Sequence, residues 1–368
     1  MKKRERGTRK GYTTGANAAA AARAAAVGLL MGEVPAEIEA VLPNQTRVRF
    51  AVHEAWVKEH HAHAMCIKDA GDDPDCTHGA HITADVRLLD GRVGEVVLQG
   101  GEGVGTITMQ GLGLEVGGAA INPVPRANIE ANVRKVAGEL LEDYGLEVTI
   151  SVPEGEEMAK KTLNDRLGII DGISILGTTG IVHPYSTAAF RASVVQGIEV
   201  ASNQGQDTVV LTTGGRTEKF VIAALPELAP ACFVQMGDFL APALDTCKKE
   251  GIKHVMIGGM VGKLTKMAQG ELITHAKRKA VNTDLLAAIA KDCGAPDDVC
   301  TEISQAETAR FAAEKMEELG LDAAFYQALA QRTIDTLRAR YPDEFSIRVM
   351  VCDFSGNALA DVSSEGDS

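Results

Sequence analysis

Four carboxylates crowd one short stretch of this chain, Asp69-Ala70-Gly71-Asp72-Asp73-Pro74-Asp75, and His78 follows closely. Such side chains could take up a proton as a general base or hold a ligand's amine, yet they repel one another unless something compensates. The string reads equally as an Asx-rich turn between two strands. Its glycine position and missing distal glutamate do not match a calcium loop. Histidines and cysteines gather in the same region, at His60, His61, His63, Cys66, Cys76, His78 and His81. The ligand types suit zinc or cobalt, but the spacing is that of no known finger, and on a strand His61 and His63 face away from His60. Scattered surface histidines, and no metal centre, are the expectation.

Other segments offer backbone amides. Gly11-Tyr12-Thr13-Thr14-Gly15 precedes an almost uncharged stretch with helical character, so Thr13 and Thr14 either cap a buried helix or present donors to an anion at its positive end. Gly100-Gly101-Glu102-Gly103-Val104-Gly105-Thr106 is either a hairpin connection or a backbone cradle for carboxylates or phosphate at Gly101, Gly103 and Gly105. It does not match the dinucleotide fingerprint. The strongest group is a set of short apolar runs that end in small, flexible turns. Ile173-Ser174-Ile175-Leu176 stops at Gly177-Thr178-Thr179-Gly180, Val209-Val210-Leu211 at Thr212-Thr213-Gly214-Gly215, and Val255-Met256-Ile257 at Gly258-Gly259. An apolar run, a glycine turn and then a helix is the pattern of a parallel α/β sheet, which binds small ligands outside the carboxyl ends of its strands. Met236-Gly237-Asp238-Phe239 adds an acidic residue after another such run, suited to a ribose hydroxyl or a cation. No Walker lysine motif, nucleophile elbow or His-Glu-x-x-His occurs, which disfavours phosphoryl transfer, serine hydrolysis and zinc proteolysis.

The elements that would position these groups form two blocks. In the first, residues 1–155, the pattern predicts a helix from Gly15 to Met31 stopped by Gly32. Alternating stretches follow at Glu37–Leu42, Arg47–Val57, Ala62–Lys68 and His81–Leu89, then a helix from Asn128 to Tyr144 and a strand at Leu146–Val152. This is an α+β domain with a mainly antiparallel sheet. Charged, loop-like composition near Pro153–Asn164 marks the boundary. In the second block, residues 156–362, strands are expected at 170–176, 208–212, 231–235 and 253–257, each followed by a helix. Further helices are expected at 283–292, 303–319 and 322–340, and a last strand at 347–352. In the first of the sheet-packing helices Phe190, Val194, Ile198 and Ala201 share a face. Residues 363–368 are polar and expected to be disordered.

Bulk properties bound the function. The 368 residues suit two domains. A formal charge of −13 argues against a nucleic-acid binder while permitting a local cationic pocket for an anionic small molecule. Seven cysteines with no Cys-x-x-Cys favour a reduced, cytoplasmic setting. The stretch Ala16–Leu30 is too weakly apolar for a membrane span.

Several strings, taken in this order, resemble the cobalt-precorrin-5B C1-methyltransferase (CbiD) family of anaerobic cobalamin biosynthesis. They are GYTTGANAAAAA (11–22), KDAGDDPDCTHGA (68–80), GGEGVGTITMQGL (100–112), AAINPVPR (119–126), RLGIIDGISILGTTGIVHPYS (166–186) and GGMVGKLTKMAQG (258–270). Asn17 and the run His60–His63 depart from the family pattern. The resemblance implies methyl transfer from S-adenosylmethionine, as co-substrate, to C1 of an anionic corrinoid that carries its own cobalt, giving cobalt-precorrin-6A. It implies an α+β N-terminal domain joined to a Rossmann-like C-terminal domain, with neither nucleic acid nor membrane as partner; a homo-oligomer stays open. On this reading the donor lies against Gly177, Thr178, Thr179, Gly180, Thr213, Gly214, Asp238, Gly258 and Gly259, which share strand ends. The macrocycle lies between the domains against Thr13, Thr14, Gly101, Gly103, Gly105, Arg126 and Lys263. Asp72, Asp75 or His78 would accept any proton that must leave the ring. A nucleotide-dependent oxidoreductase and a non-catalytic corrinoid carrier are the alternatives.

Overall fold

The computed structural model describes residues 7–275 and 280–365. The chain divides into two compact units at Thr187/Ala188, not near residue 155. The boundary lies later because residues 164–182 are bonded into the first unit. Asn164 Nδ2 donates to Gly172 O at 2.9 Å, Ile173 N to Gly103 O at 2.9 Å and Gly15 N to Leu176 O at 3.1 Å.

The first unit is organised by an alanine-rich helix. A short strand, β1 (Gly11–Tyr12), leads into α1 (Thr14–Met31), whose first turn is capped by Thr13 and whose last is stopped by Gly32 in the left-handed region at φ 81°. Hairpin β2 (Glu37–Val41) and β3 (Arg47–Ala51) follows, then β4 (Glu54–Lys58), β5 (His61–Ile67), β6 (His81–Leu89), β7 (Val96–Gly100) and β8 (Thr106–Ile107). The expected helix over 128–144 begins earlier, at Pro123, and is two helices, α2 (Pro123–Val136) and α3 (Gly138–Asp143). Strand β9 (Gly145–Ser151), the short helix α4 (Gly155–Ala159), β10 (Ile169–Ile170) and β11 (Ile181–Val182) complete the unit. Its main sheet has the order β4-β5-β6-β9-β7, antiparallel except for the β7–β9 pair. The inward residues Ala62, Ala64, Ile82, Ala84, Val86, Val148 and Ile150 share one core with the alanines of α1. A helix with no side chain beyond Cβ along most of its length lets a sheet and a second helix approach on different sides, which is why it is buried nearly all round.

The run at 173–176 is not a strand of a parallel sheet. Ile173 and Ile175 make isolated bridges to Val104 and Ile121 within the first unit, and only Ile169–Ile170 forms a strand, paired with β8.

The second unit opens with α5 (Thr187–Asn203) and continues through β12 (Thr208–Thr212), α6 (Gly215–Ala224), β13 (Phe233–Gln235), α7 (Leu240–Lys249), β14 (His254–Gly259) and α8 (Val261–Ala268). Four helices follow, α9 (Thr283–Asp292), α10 (Asp297–Ser304), α11 (Ala309–Glu318) and α12 (Asp322–Arg340), then β15 (Ser346–Cys352) and β16 (Ala358–Ser363). The sheet order is β13-β12-β14-β15-β16, with the first four strands parallel and β16 an antiparallel edge. Alternate residues enter cores on opposite faces. Val209, Leu211, Val255, Ile257, Ile347 and Val349 face the larger one, while Val210 and Met350 face a smaller one under α6. Two-sided burial explains the unbroken apolar runs. The disorder expected over 363–368 does not hold at its first residues: Ser363 ends β16, and Ser364 bonds to Ile347 through both its amide (2.8 Å) and its hydroxyl (3.0 Å). Residues 366–368 lie outside the described residues.

Ala20 is completely buried in α1. Ala20→Leu should cost about 1–3 kcal/mol through overpacking, measured as a lower urea midpoint; an unchanged midpoint would show that the helix is not close-packed.

Candidate functional site

In the second unit the chain leaves β12 toward β13 on one side and returns to β14 on the other. Adjacent parallel strands whose following connections depart in opposite directions leave a crevice at their carboxyl ends. The turns at that point are Thr213-Gly214-Gly215 and Met260-Val261, tied together by Thr213 N donating to Gly258 O at 3.3 Å. Neither α6, entered from Gly214, nor α8, entered from Met260, has a side-chain cap. Two helix starts without side-chain caps therefore stand at one strand junction, and both favour negative charge. Gly258 and Gly259 make this geometry attainable. A Cβ on the first would lie 2.6 Å from Val221 Cγ1 of α6, and one on the second 2.8 Å from Leu264 of α8. Thr212, the last residue of β12, is fully buried, and its hydroxyl has no hydrogen-bond partner among the described residues, an uncommon state for a buried polar atom. The Thr213 hydroxyl instead meets Thr217 Oγ1 at 3.1 Å.

One strand over, Asp238 follows β13. Its carboxylate pairs with Lys263 Nζ of α8 and accepts from Thr274 Oγ1 at 3.2 Å, while Thr274 N donates to Asp238 O at 3.2 Å. Two residues that the sequence assigns to different ligands are thus one ion pair. An aromatic wall stands beside them: Phe190 and Phe239 are stacked with centroids 5.6 Å apart. Phe190 was expected on the buried face of its helix, but it is 39% exposed, while Val194, Ile198 and Ala201 are buried as read. Sequence reasoning missed this pair; the signal was Phe239 directly after Asp238.

Of the residues assigned to the donor, the structure therefore gathers Thr213, Gly214, Asp238, Gly258 and Gly259, with Lys263, along one sheet edge. Gly177–Gly180 belong to the first unit. There Thr13 N donates to Gly180 O at 3.0 Å, and Ile181 N to the Thr179 hydroxyl at 3.3 Å; Thr178 is exposed.

The first-unit candidates are committed to the chain itself. Thr13 caps Ala16 N at 3.2 Å, and the Thr14 hydroxyl donates to Ser174 O at 3.2 Å and accepts from Leu176 N at 2.9 Å; both threonines are buried. This helix end is a capped, buried one and not an open anion site. The glycine loop is likewise a backbone junction. Gly103 has φ 68°, and a Cβ there would lie 1.8 Å from Val152 O. Gly101 N donates to Ile150 O at 2.8 Å and Gly105 N to Ile173 O at 2.9 Å, so neither amide is left for a ligand. Arg126 is partly exposed, and its Nη1 donates to Leu98 O at 3.3 Å.

The carboxylates are compensated one by one. Arg9 pairs with Asp69 and holds its carboxyl below the usual range. Asp72 accepts from Arg9 N at 2.7 Å, and Asp73 from Tyr185 N at 2.8 Å. Lys68, only 1% exposed, donates to Asp75 Oδ2 at 2.6 Å, and Thr77 donates to the other oxygen through its amide (2.7 Å) and hydroxyl (2.6 Å). Burial pushes Asp75 up, but the Lys68 charge and these hydrogen bonds outweigh it, and the pKa is lowered. His78 Nδ1 accepts from Ala70 N at 3.1 Å; with that lone pair engaged, the neutral ring carries its proton on Nε2 and presents a donor. Asp75 and His78 are thus each engaged by hydrogen bonds within this turn. Elsewhere in the stretch, burial pushes the Cys66 thiol up to about 12, His81 meets Glu154 at 2.9 Å, and no group of three metal-ligating side chains is assembled among the described residues. No helix among them is long and apolar enough to cross a membrane.

Comparison with known proteins gives a consistent set of relatives. The family model CbiD matches residues 1–184, and the model "CbiD, C-terminal domain" matches residues 273–363. A protein of Methylococcus capsulatus named cobalt-precorrin-5B C(1)-methyltransferase is 67% identical over 99% of this chain and 96% of its own length. One of the same name from Polaromonas is 63% identical over 97% and 98%. A solved structure of the cobalamin biosynthesis protein (cbiD) from Archaeoglobus fulgidus is 30% identical, covering 71% of this chain and 79% of that one, with a TM-score of 0.39.

Asp75→Asn should destabilise the protein by about 3–5 kcal/mol, because it strands the buried Lys68 charge; Lys68→Met combined with Asp75→Leu should recover most of that loss in urea unfolding. Because the Asp75 pKa is lowered on folding from 3.8, its stabilisation is complete above about pH 5 and lost as pH falls below 3.8. A variant whose stability matches the wild type at pH 7 would remove the ion pair from the account.

Proposed function

This chain is a member of the CbiD family, and from that premise we propose that it methylates C1 of cobalt-precorrin-5B, giving cobalt-precorrin-6A in anaerobic cobalamin biosynthesis, with S-adenosylmethionine as the donor. The observation that carries the reading is the assembly at the β12/β14 junction of two uncapped helix starts and an unpartnered buried hydroxyl, with Asp238 one strand away. A donor with a carboxylate, a ribose, an adenine and a sulfonium needs complementary groups of those kinds. The amides opening α6 and α8 suit the carboxylate, Asp238 suits the ribose hydroxyls, and the Phe190–Phe239 wall offers a face for the base. The sheet arrangement supports a Rossmann-like description of the second unit.

When bound, the donor supplies a methyl group on a positively charged sulfur, which leaves as a neutral thioether as the macrocycle's conjugated carbon attacks. The chain's own work is alignment and exclusion of water. No protein nucleophile is needed, in keeping with carboxylates and histidines that are committed to structure. Lys263 neutralises Asp238 in the free protein, so a ligand that takes the carboxylate must share or displace that ammonium. The cobalt enters with the substrate.

Incubation with the cobalt precursor and methyl-labelled S-adenosylmethionine should yield a singly methylated ring; binding of the pigment without label transfer would make the protein a carrier. Asp238→Asn should raise the donor dissociation constant about tenfold in calorimetry, and unchanged affinity would reject the ribose assignment.

A further inference from the structure

Strand β4 has a free edge. It ends the order β4-β5-β6-β9-β7 and packs on β5 and α1. The hairpin between Lys58 and His61 turns in two residues, so the pairs Lys58/His61, Trp56/His63 and Glu54/Met65 are the hydrogen-bonded ones. The amides and carbonyls of Ala55 and Val57 therefore point away from β5. They meet no partner among the described residues. An edge of this kind is a template for another strand unless charge or cover blunts it.

Here the charges are ordered to suit one particular strand. The chain runs His53-Glu54-Ala55-Trp56-Val57-Lys58-Glu59. With a second copy antiparallel and Trp56 opposite Trp56, Glu54 faces Lys58 and His53 faces Glu59, each pair occurring twice. These four side chains are exposed and make no ion pair with another described residue. Centring the pairing on Ala55 or Val57 instead separates Glu54 from Lys58. The Trp56 register also fits the ladder. Ala55 and Val57 exchange amide-to-carbonyl bonds with Val57 and Ala55 of the other copy, and Trp56 takes a non-hydrogen-bonded position, where side chains approach most closely. The apolar side of the edge is open as well. Ala55 points to the face that α1 covers, yet it is exposed. A Cβ on Gly28 of α1 would lie 3.2 Å from Val57 Cγ2, and Met31, one turn beyond that contact, is 72% exposed.

We propose that this edge joins two copies of the chain, β4 pairing with β4 about a two-fold axis at Trp56. Such an interface is isologous, with the same patch used on both copies. Two five-stranded sheets then continue as one. Glu54 of one copy closes the row Lys58, His61, Arg87 and Glu147 of the other. The two tryptophans meet at the axis, each stacked on its own His63. The seam is short beside the roughly 1,200–2,000 Å² of a stable interface, so the dimer should dissociate on dilution, with a constant on the order of micromolar. The pairing does not rest on the methyl-transfer reading.

Sedimentation velocity of the full chain across the micromolar range tests the pairing. Wild type should pass from monomer to dimer as concentration rises. Emission from Trp56, the single tryptophan of the chain, should move to the blue in step as the ring leaves water. Glu54→Lys and Lys58→Glu should each weaken dimerisation about tenfold or more, because either reversal sets like charges opposite each other at two places. The double reversal Glu54→Lys/Lys58→Glu should restore it. Both positions are exposed, and urea unfolding checks that each variant is folded. A wild type that stays monomeric throughout overturns the proposal. So does a dimer indifferent to the single reversals, which would place the contact elsewhere, or a folded double variant that fails to recover.

Discussion

Close approach to a backbone whose side chains are missing or small is the constraint on which both units depend. In the second unit it operates at the end of β14, where Gly258 and Gly259 let Val221 and Leu264 come within distances that a Cβ could not share. Their helices α6 and α8 start, without side-chain caps, at the point where the chain changes direction about β12. A Cβ at either glycine would have to displace the Val221 or the Leu264 side chain. In the first unit the same device works inward. The alanines of α1 admit the sheet and α2, and Gly103 lets the segments around Val152 and Ile173 cross at hydrogen-bonding distance. Glycine-rich turns thus create an open edge in one unit and a closed knot in the other, and the difference lies in what each amide meets.

That difference explains what could be read from the sequence. Where local signals agree, the elements are where the pattern puts them. Strand β12 and helices α9 and α12 have the expected bounds, and α1 has both of its caps. Strand β6 also spans His81–Leu89 as expected. Errors arise where one pattern serves two structures. The stretch Arg47–Val57 alternates throughout, yet the chain turns at Val52-His53 and its halves enter different sheets. The helix expected over 303–319 is interrupted because Thr308 caps a new one, its hydroxyl accepting from Phe311 N at 3.4 Å. Strand β16 escapes notice because an edge strand is polar on its open side.

The candidate site was legible only in part, for the same reason. Thr213, Gly214, Asp238, Gly258 and Gly259 could be grouped because parallel strands bring their carboxyl ends to one edge. Gly177–Gly180 carry an indistinguishable motif, but the run before them pairs with first-unit backbone. The Asp69–Asp75 turn looked reactive because a sequence displays charges without their partners; Arg9 lies 60 residues from Asp69. Composition and motif absences narrowed the chemistry, and the resemblance carried its identity. Methyl transfer to an electron-rich ring leaves little mark in side-chain types, since it asks for placement more than for a reactive residue.

The central claim is that the methyl donor is held at the carboxyl edge of the second unit's sheet. A crystal structure of the protein soaked with S-adenosylhomocysteine tests it most directly. The account predicts the amino-acid end of that ligand at the starts of α6 and α8 and its ribose at Asp238. Density for the ligand in the first unit, or an undisturbed Asp238–Lys263 pair with the ligand bound elsewhere, would contradict it.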